Sequence, residues 1–246
     1  MQPRGSSSSR SGRIETEPAL WVAVPVYNEA PGIRPTLEAL AAQWDEDFGV
    51  VFVDNGSTDG SADVIRGFAA SRGLRHWHVV DEPEKGTGAA ADTGMREAIA
   101  RGATMLARTD ADCLPRADWT AAVRRCLTPR AEGGLGLGLV GGDLLPRLDE
   151  GLPWTTRTLL SGAVRLAEAF GRIRPGNRLP GAKGPYMMAA GCNVAITADL
   201  YERAGRHEDL AELLFARFDS ARDRADAEGT RVLGLRLAGL LAPTRR

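Results

Sequence analysis

From residue 20 onward, short apolar runs alternate with stretches of helical spacing. "LWVAVPVY" (20–27) reads as a buried first strand, and "GIRPTLEALAAQW" (32–44) spaces Ile33, Leu37, Leu40 and Ala41 as a helix does. "FGVVFVDNGS" (48–57) is a second strand running into a polar turn. "SADVIRGFAASRG" follows as a helix, with Ser61 expected as its N-cap and Gly73 as its stop. "LRHWHVVDE" (74–82) alternates like a strand, "TGAAADTGMREAIARGA" is Ala-rich and helical, and "TMLARTDAD" closes the series as a fourth strand. The pattern then loosens. A helix is expected over "RADWTAAVRRCL" with Asp118 near its start, then a Gly-broken strand within 133–147 and a long amphipathic helix over 154–173. Loop and strand follow over 184–196, then two charged helices around "LYERAG" and "EDLAELLFARFDSARDRADAEG". Strand–helix alternation at this spacing predicts βαβ units, hence an α/β fold on a mostly parallel, doubly wound sheet with helices on both faces.

Length suits one domain of α/β or barrel size, or two small ones. The chain has 246 residues, 43% hydrophobic and 26% charged, as an ordinary globular domain does. Neither a repeat nor a convincing linker divides it. The expected layout is a disordered Ser/Gly/Arg tail over 1–18, then one domain over 19–246. That domain reads as a nucleotide-type first half (19–115) and a more irregular second half (116–246). A net charge of −1 gives no basic surface for nucleic acid or an anionic membrane, so a phosphate-bearing ligand would need a metal or a Gly-rich loop. No apolar run reaches the length of a membrane span, and the start lacks the hydrophobic segment of a secretory signal. Cys113, Cys126 and Cys192 form neither a zinc pattern nor a disulfide framework. The expected location is therefore cytoplasmic, with a peripheral position at the inner membrane face as the variant.

Chemistry-bearing residues fall at the predicted strand ends. Open parallel sheets bind ligands beyond the carboxyl ends of their strands. Here those ends read "PVYNE" (25–29), "DNGSTDGS" (54–61), "DEPEKGTG" (81–88) and "DAD" (110–112). One such loop could be an ordinary polar turn; four acidic ones on one edge are harder to dismiss. In an extended chain Asp110 and Asp112 point to the same side, which suits a hard divalent cation such as Mg²⁺ or Mn²⁺. A proton-sharing dyad or two capping aspartates are the alternatives, and D-x-D alone is a weak motif. Asp54 could accept hydrogen bonds from a base or ribose, and Tyr27 could wall a flat ring. Gly86, Gly88 and Gly94 depart from the dinucleotide G-x-G-x-x-G spacing and follow the third strand, so they are read as close helix–sheet packing. His76 and His78 are given structural roles.

Taken in order, "VPVYNE", "VDNGSTDGS", "EKGTGAAADTGMREA", "TDAD", "GCNVAITADLYERAG" and "HED" resemble the family 2 glycosyltransferases of GT-A fold, over about residues 20–210. The resemblance implies a metal-dependent, inverting hexosyltransferase acting on a UDP-, GDP- or dTDP-sugar, with a sugar, lipid or small molecule as acceptor. It implies nucleotide contacts from Pro25, Tyr27, Glu29, Asp54 and Asp110, and a Mn²⁺ or Mg²⁺ ion on Asp110 and Asp112. It further implies Gly191 and Asn193 beside the donor sugar, and a base at Asp209 with Glu208 next to it. Two departures stand out. Ala90, Ala91 and Asp92 occupy positions where many relatives carry Arg and Asn, and "LAELLFARF" replaces the usual run after E-D, leaving Asp219 and Asp223 as runner-up bases. A nucleotidyltransferase is the rival enzyme, though "VPVYNEAPG" lacks the basic residue it would carry after strand one. A non-catalytic sugar-nucleotide-binding module is the rival outside enzymes. Trp154 and Tyr186 are candidate acceptor-stacking rings for which packing is the simpler role.

Overall fold

A computed structural model describes residues 17–142, 153–156, 158–159, 162–163, 166, 191–204 and 232–235. The parallel half follows the sequence pattern closely: β1 (Leu20–Val26), α1 (Arg34–Ala41), β2 (Phe48–Asp54), α2 (Ser61–Arg72), β3 (Trp77–Asp81), α3 (Thr87–Ala100) and β4 (Met105–Thr109). Then come α4 (Trp119–Leu127), a 3-10 turn (Arg130–Glu132), β5 (Leu139–Gly142), β6 (Asn193–Thr197), α5 (Ala198–Ala204) and β7 (Val232–Leu235). The described residues between 154 and 166 are helical, within the span expected for the long amphipathic helix.

The strand order is β3-β2-β1-β4-β6-β5-β7. β1 to β4 are mutually parallel; β6, β5 and β7 add on through antiparallel pairs. The sheet is thus mixed, with its parallel part confined to the first half of the chain. β7 was not expected, because four residues of "VLGL" carry too short a pattern to register.

All seven residues of β1 are buried, as befits a central strand covered on both faces. Its alternation divides the core. Leu20, Val22, Val24 and Val26 pack with Ile33, Leu37 and Leu40 of the α1 region, Ile65 and Phe68 of α2, and Val123 and Leu127 of α4. Trp21 and Ala23 face the other way, onto Ala90, Met95 and Ala98 of α3 and Leu200 and Tyr201 of α5. Helices therefore cover both faces, as the pattern predicted.

Two glycines make room for this packing. A Cβ on Gly49, the Cα partner of Trp21 on β2, would lie 2.4 Å from the indole. A Cβ on Gly94 would lie 2.8 Å from that of Ala23, so α3 rides close on the sheet. Gly94 and Ala90 thus serve helix–sheet contact, as expected, whereas a Cβ on Gly86 would meet nothing within 4 Å. Ala90 and Ala91 are fully buried, and Asp92 Oδ1 accepts a 2.6 Å hydrogen bond from the Tyr201 hydroxyl. The departure at 90–92 is absorbed into the core and into holding α5.

Gly73 ends α2 in the left-handed conformation expected of a C-cap (φ +65°). At the other end Gly60 (φ +86°), not Ser61, is the N-cap; Ser61 is the first helical residue. The Ser61 hydroxyl is spent instead on the loop from β1, described next.

Candidate active site

In this strand order the chain runs outward from β1 through β2 to β3, then crosses to β4 on the other side of β1. The reversal between β1 and β4 is a topological switch point, where open α/β sheets open a crevice at the strand carboxyl ends. β1 and β4 pair only from Leu20–Met105 to Ala23–Arg108, so the last residues of β1 lie beyond that ladder. Pro25 sits in this stretch. It is a buried strand residue with Val53 as its Cα partner.

Side chains bonded to backbone lace the four loops at this edge together. Asn28 adopts φ +54°, a left-handed conformation that Asn tolerates better than most residues. Its amide N donates to Ser57 Oγ at 3.0 Å, and its Oδ1 accepts from Thr58 N at 2.8 Å. Glu29 N donates to Ser61 Oγ at 2.8 Å, and Ala30 N to Asp59 Oδ2 at 2.9 Å. Asn55, 7% exposed, reaches the third loop: its Nδ2 donates to the Glu82 and Glu84 carbonyls, and its Oδ1 accepts from Gly86 N. Thr36 Oγ1 donates to the Ala111 carbonyl at 2.7 Å, tying α1 to the D-x-D turn. Buried polar groups satisfied in this way hold a surface rigid. None of Asn28, Asn55 or Asp59 was singled out from sequence. Asn28 and Asn55 lie within two residues of a strand end and Asp59 in the turn before α2, positions that alone read as polar turns.

Within this frame the predicted donor-side residues spread along one edge. Tyr27 is 55% exposed, and the Lys85 ammonium stands 4.6 Å from its ring centroid while also donating to the Asn55 carbonyl at 3.0 Å. Asp54 Oδ1 accepts from Ser57 N at 3.1 Å, which orients its carboxylate. Asp110 to Cys113 form a turn rather than extended chain, closed by Cys113 N on the Asp110 carbonyl at 3.1 Å. Ala111 is buried between the two aspartates, which are both more exposed.

Arg108 changes how the acidic pair is read. Its side chain is 7% exposed, and its guanidinium meets Asp110 Oδ1 through Nη2 at 3.1 Å and Nε at 3.3 Å. The chain therefore supplies a cation to the first aspartate itself. A Cβ on Gly191 would touch the same guanidinium at 3.4 Å, so the segment before β6 lies against this pair. Asn193 is the Cα partner of Thr109, and its Oδ1 accepts the Trp119 Nε1 hydrogen bond at 2.9 Å. Sequence reading took "TMLARTDAD" as a buried strand and passed over its arginine. A cation inside an apolar run, two residues before an aspartate, was the available signal.

Glu29 is held above the ordinary carboxylate range, first by burial and then by the negative charges of Asp112 and Asp59. The ends of β1 and β4 are thus close enough to sense each other. A carboxyl raised in the folded state binds its proton more tightly there than in the unfolded chain. Its stabilisation is complete below the unfolded value near 4.5 and is lost as pH rises through the folded value. Glu29→Gln is therefore expected to raise Tm at pH 7 and to leave it unchanged at pH 3.5. Equal shifts at both pH values in thermal denaturation would rule this linkage out.

No group of three or more His, Cys, Asp or Glu side chains is assembled for a metal ion among the described residues. Asp112 is nonetheless an exposed hard-oxygen donor beside Glu29, which fits a cation completed by water and substrate oxygens. His76 and His78 are structural, as expected: His78 stacks on Trp21 with centroids 5.7 Å apart, and His76 meets Glu17. Asp209, Glu208, Asp219, Asp223, Tyr186 and the tail over 1–16 lie outside the described residues; Trp154 is helical and exposed. No described helix is long and apolar enough to cross a membrane.

Comparison with known proteins finds glycosyltransferases by sequence and by fold. The chain is 34% identical over 131 residues to glycosyltransferase AglE of Haloferax volcanii, covering 52% of this chain and 40% of that protein. A Pyrobaculum calidifontis mannosyltransferase, solved with GDP-Man and Mn²⁺, superposes with a TM-score of 0.52 at 27% identity, over 77% of this chain and 47% of its own. S. aureus TarS 1-349, solved with UDP-GlcNAc, shares the fold (TM-score 0.50, 16% identity, 75% of this chain, 46% of that one). The chain spans less than half the length of each of these three proteins. The family model described as glycosyl transferase family 2 matches residues 21–125. This stretch, from β1 into α4 and including the laced edge, belongs to glycosyl transferase family 2.

Proposed function

We propose that the protein transfers a sugar from a nucleotide-diphosphate sugar to an acceptor hydroxyl with the help of a divalent cation. The observation that carries this reading is the switch-point edge, where Tyr27, Glu29, Asp54, Asp110 and Asp112 follow three parallel strands of a family 2 segment. Tyr27 offers its ring to the nucleobase and Asp54 its oriented carboxylate to the base or ribose. Asp110, already neutralised by Arg108, is suited to accept hydrogen bonds from the ribose or share the cation; Asp112 is the principal ligand. A bound Mn²⁺ or Mg²⁺ would neutralise the charge that develops on the departing diphosphate. Gly191 and Asn193 lie next to the Arg108–Asp110 pair, on the side proposed for the donor sugar. Asp209, with Glu208 beside it, is the proposed proton acceptor for the attacking hydroxyl, and direct displacement would invert the anomeric centre.

The guanosine–mannose donor of the P. calidifontis protein makes GDP-mannose the first donor to try. The purified chain, given GDP-mannose, UDP-glucose or UDP-N-acetylglucosamine with Mn²⁺, is expected to release nucleoside diphosphate slowly by donor hydrolysis. EDTA should stop the release and excess Mn²⁺ restore it. Pyrophosphate as the product would favour a nucleotidyltransferase, and tight donor binding without turnover a binding module.

A further inference from the structure

Two of the three cysteines stand at this edge although 79 positions separate them in sequence, from 113 to 192. Cys113 follows Asp112 in the turn, its Sγ 3.6 Å from Asp112 Oδ1. Cys192 precedes Asn193, whose Cα pairs with that of Thr109 on β4, so the ladder brings residue 192 alongside the D-x-D turn. The two side chains lie close enough to influence each other's titration, both are partly exposed, and both are free. Cys126 is buried in the α4 face of the core, 2% exposed.

Their position in the fold gives the contact a consequence. Cys113 follows the last parallel strand, and Cys192 immediately precedes β6, with α4 and β5 between them in sequence. Between them runs most of the segment expected to shape the acceptor side. A covalent link here would tie the residue before β6 to the turn that carries Asp110 and Asp112.

We propose that Cys113 and Cys192 are a redox modification site, forming a reversible intramolecular disulfide with a low-molecular-weight disulfide as oxidant. One cysteine, as its thiolate, attacks a sulfur of the small disulfide, breaking that S–S bond and releasing one small thiolate. The second cysteine, also as its thiolate, then attacks the protein sulfur of the mixed disulfide, forming the Cys113–Cys192 bond and releasing the other small thiolate. The two cysteine protons end on the released thiols. The protein dithiol loses two electrons and the small disulfide gains them.

A disulfide holds its sulfurs about 2.05 Å apart, closer than two unbonded thiols can approach. β4–β6 pairing and the Trp119–Asn193 bond anchor the Cys192 side. The adjustment therefore falls on the 110–113 turn and moves Asp112. The effect on the donor site rests on the transferase reading; the bridge itself does not.

The test incubates the reduced full-length protein with excess glutathione disulfide, blocks remaining thiols with iodoacetamide in denaturant, and maps peptides without reduction. Peptides containing residues 113 and 192 are expected as one linked species, separated by dithiothreitol, with Cys126 alkylated. Cys113→Ser and Cys192→Ser should each carry a glutathione adduct on the remaining partner instead. Separate adducts on both cysteines of the unsubstituted protein, or a bridge to Cys126, would overturn the proposal. Mn²⁺ binding to the oxidised protein should weaken by about tenfold and recover on reduction; unchanged binding would overturn the coupling to Asp112. A protein that bridges but never releases nucleoside diphosphate in either state would fail as a transferase and still have the thiol pair.

Discussion

Asp112→Ala is expected to lower nucleoside diphosphate release by about a hundredfold or more, while stability stays within about 0.5 kcal/mol. The two halves of this expectation have separate causes. Asp112 is exposed at the tip of a turn, so its removal opens no cavity in either core cluster. Its carboxylate is, however, the proposed principal cation ligand, so the loss falls on cation binding. Removing it should also bring Glu29 down towards the ordinary carboxylate range, because Asp112 is one of the charges holding Glu29 up. The pH-dependent gain expected of Glu29→Gln should therefore shrink in the Asp112→Ala background. Donor hydrolysis within twofold of the starting protein would remove Asp112 from the site.

Trp21→Ala should do the opposite: about 3–5 kcal/mol of stability lost in chemical denaturation, with the surviving folded fraction still turning over donor. Trp21 is fully buried, and its Nε1 donates to the Pro18 carbonyl at 2.8 Å. His78 stacks on the ring, Arg101 lies 5.7 Å from its centroid, and Gly49 leaves space for it on the neighbouring strand. Alanine would leave a large hole and orphan the contacts around it. Domains of this kind are stable by only about 5–15 kcal/mol, so the midpoint should shift markedly. A cost below about 1 kcal/mol would mean that α3 and β3 collapse onto the gap. Trp21 lies near the start of β1, away from the carboxyl-end loops, which is why the two substitutions separate folding from chemistry.

How far the sequence could be read differs along the chain for physical reasons. β1 and β2 are covered on both faces, so each is a continuous apolar run whose end is abrupt; β4 is as deeply buried but carries Arg108 and Thr109, and polar residues follow all three. Alternation within those runs and the spacing in the helices sufficed to give helices on both faces. Other features were invisible because they depend on partners far away. Ser61 reads as a cap locally, yet its hydroxyl serves Glu29 N from another loop and Gly60 takes the cap position. Asp92 reads as a departure from relatives in a ligand-facing helix, yet it holds Tyr201 across 109 positions.

The sequence by itself determined the order of elements from β1 to β4, their parallel arrangement and the line of acidic strand ends, because these follow from short-range periodicity. It also raised the matter of two aspartates one residue apart and what cation they need. Only the tertiary structure decided that Arg108 answers part of that need, that Glu29 senses Asp112, and that Cys113 meets Cys192. Each of these is a through-space encounter set by strand register and loop lacing, which no local pattern encodes.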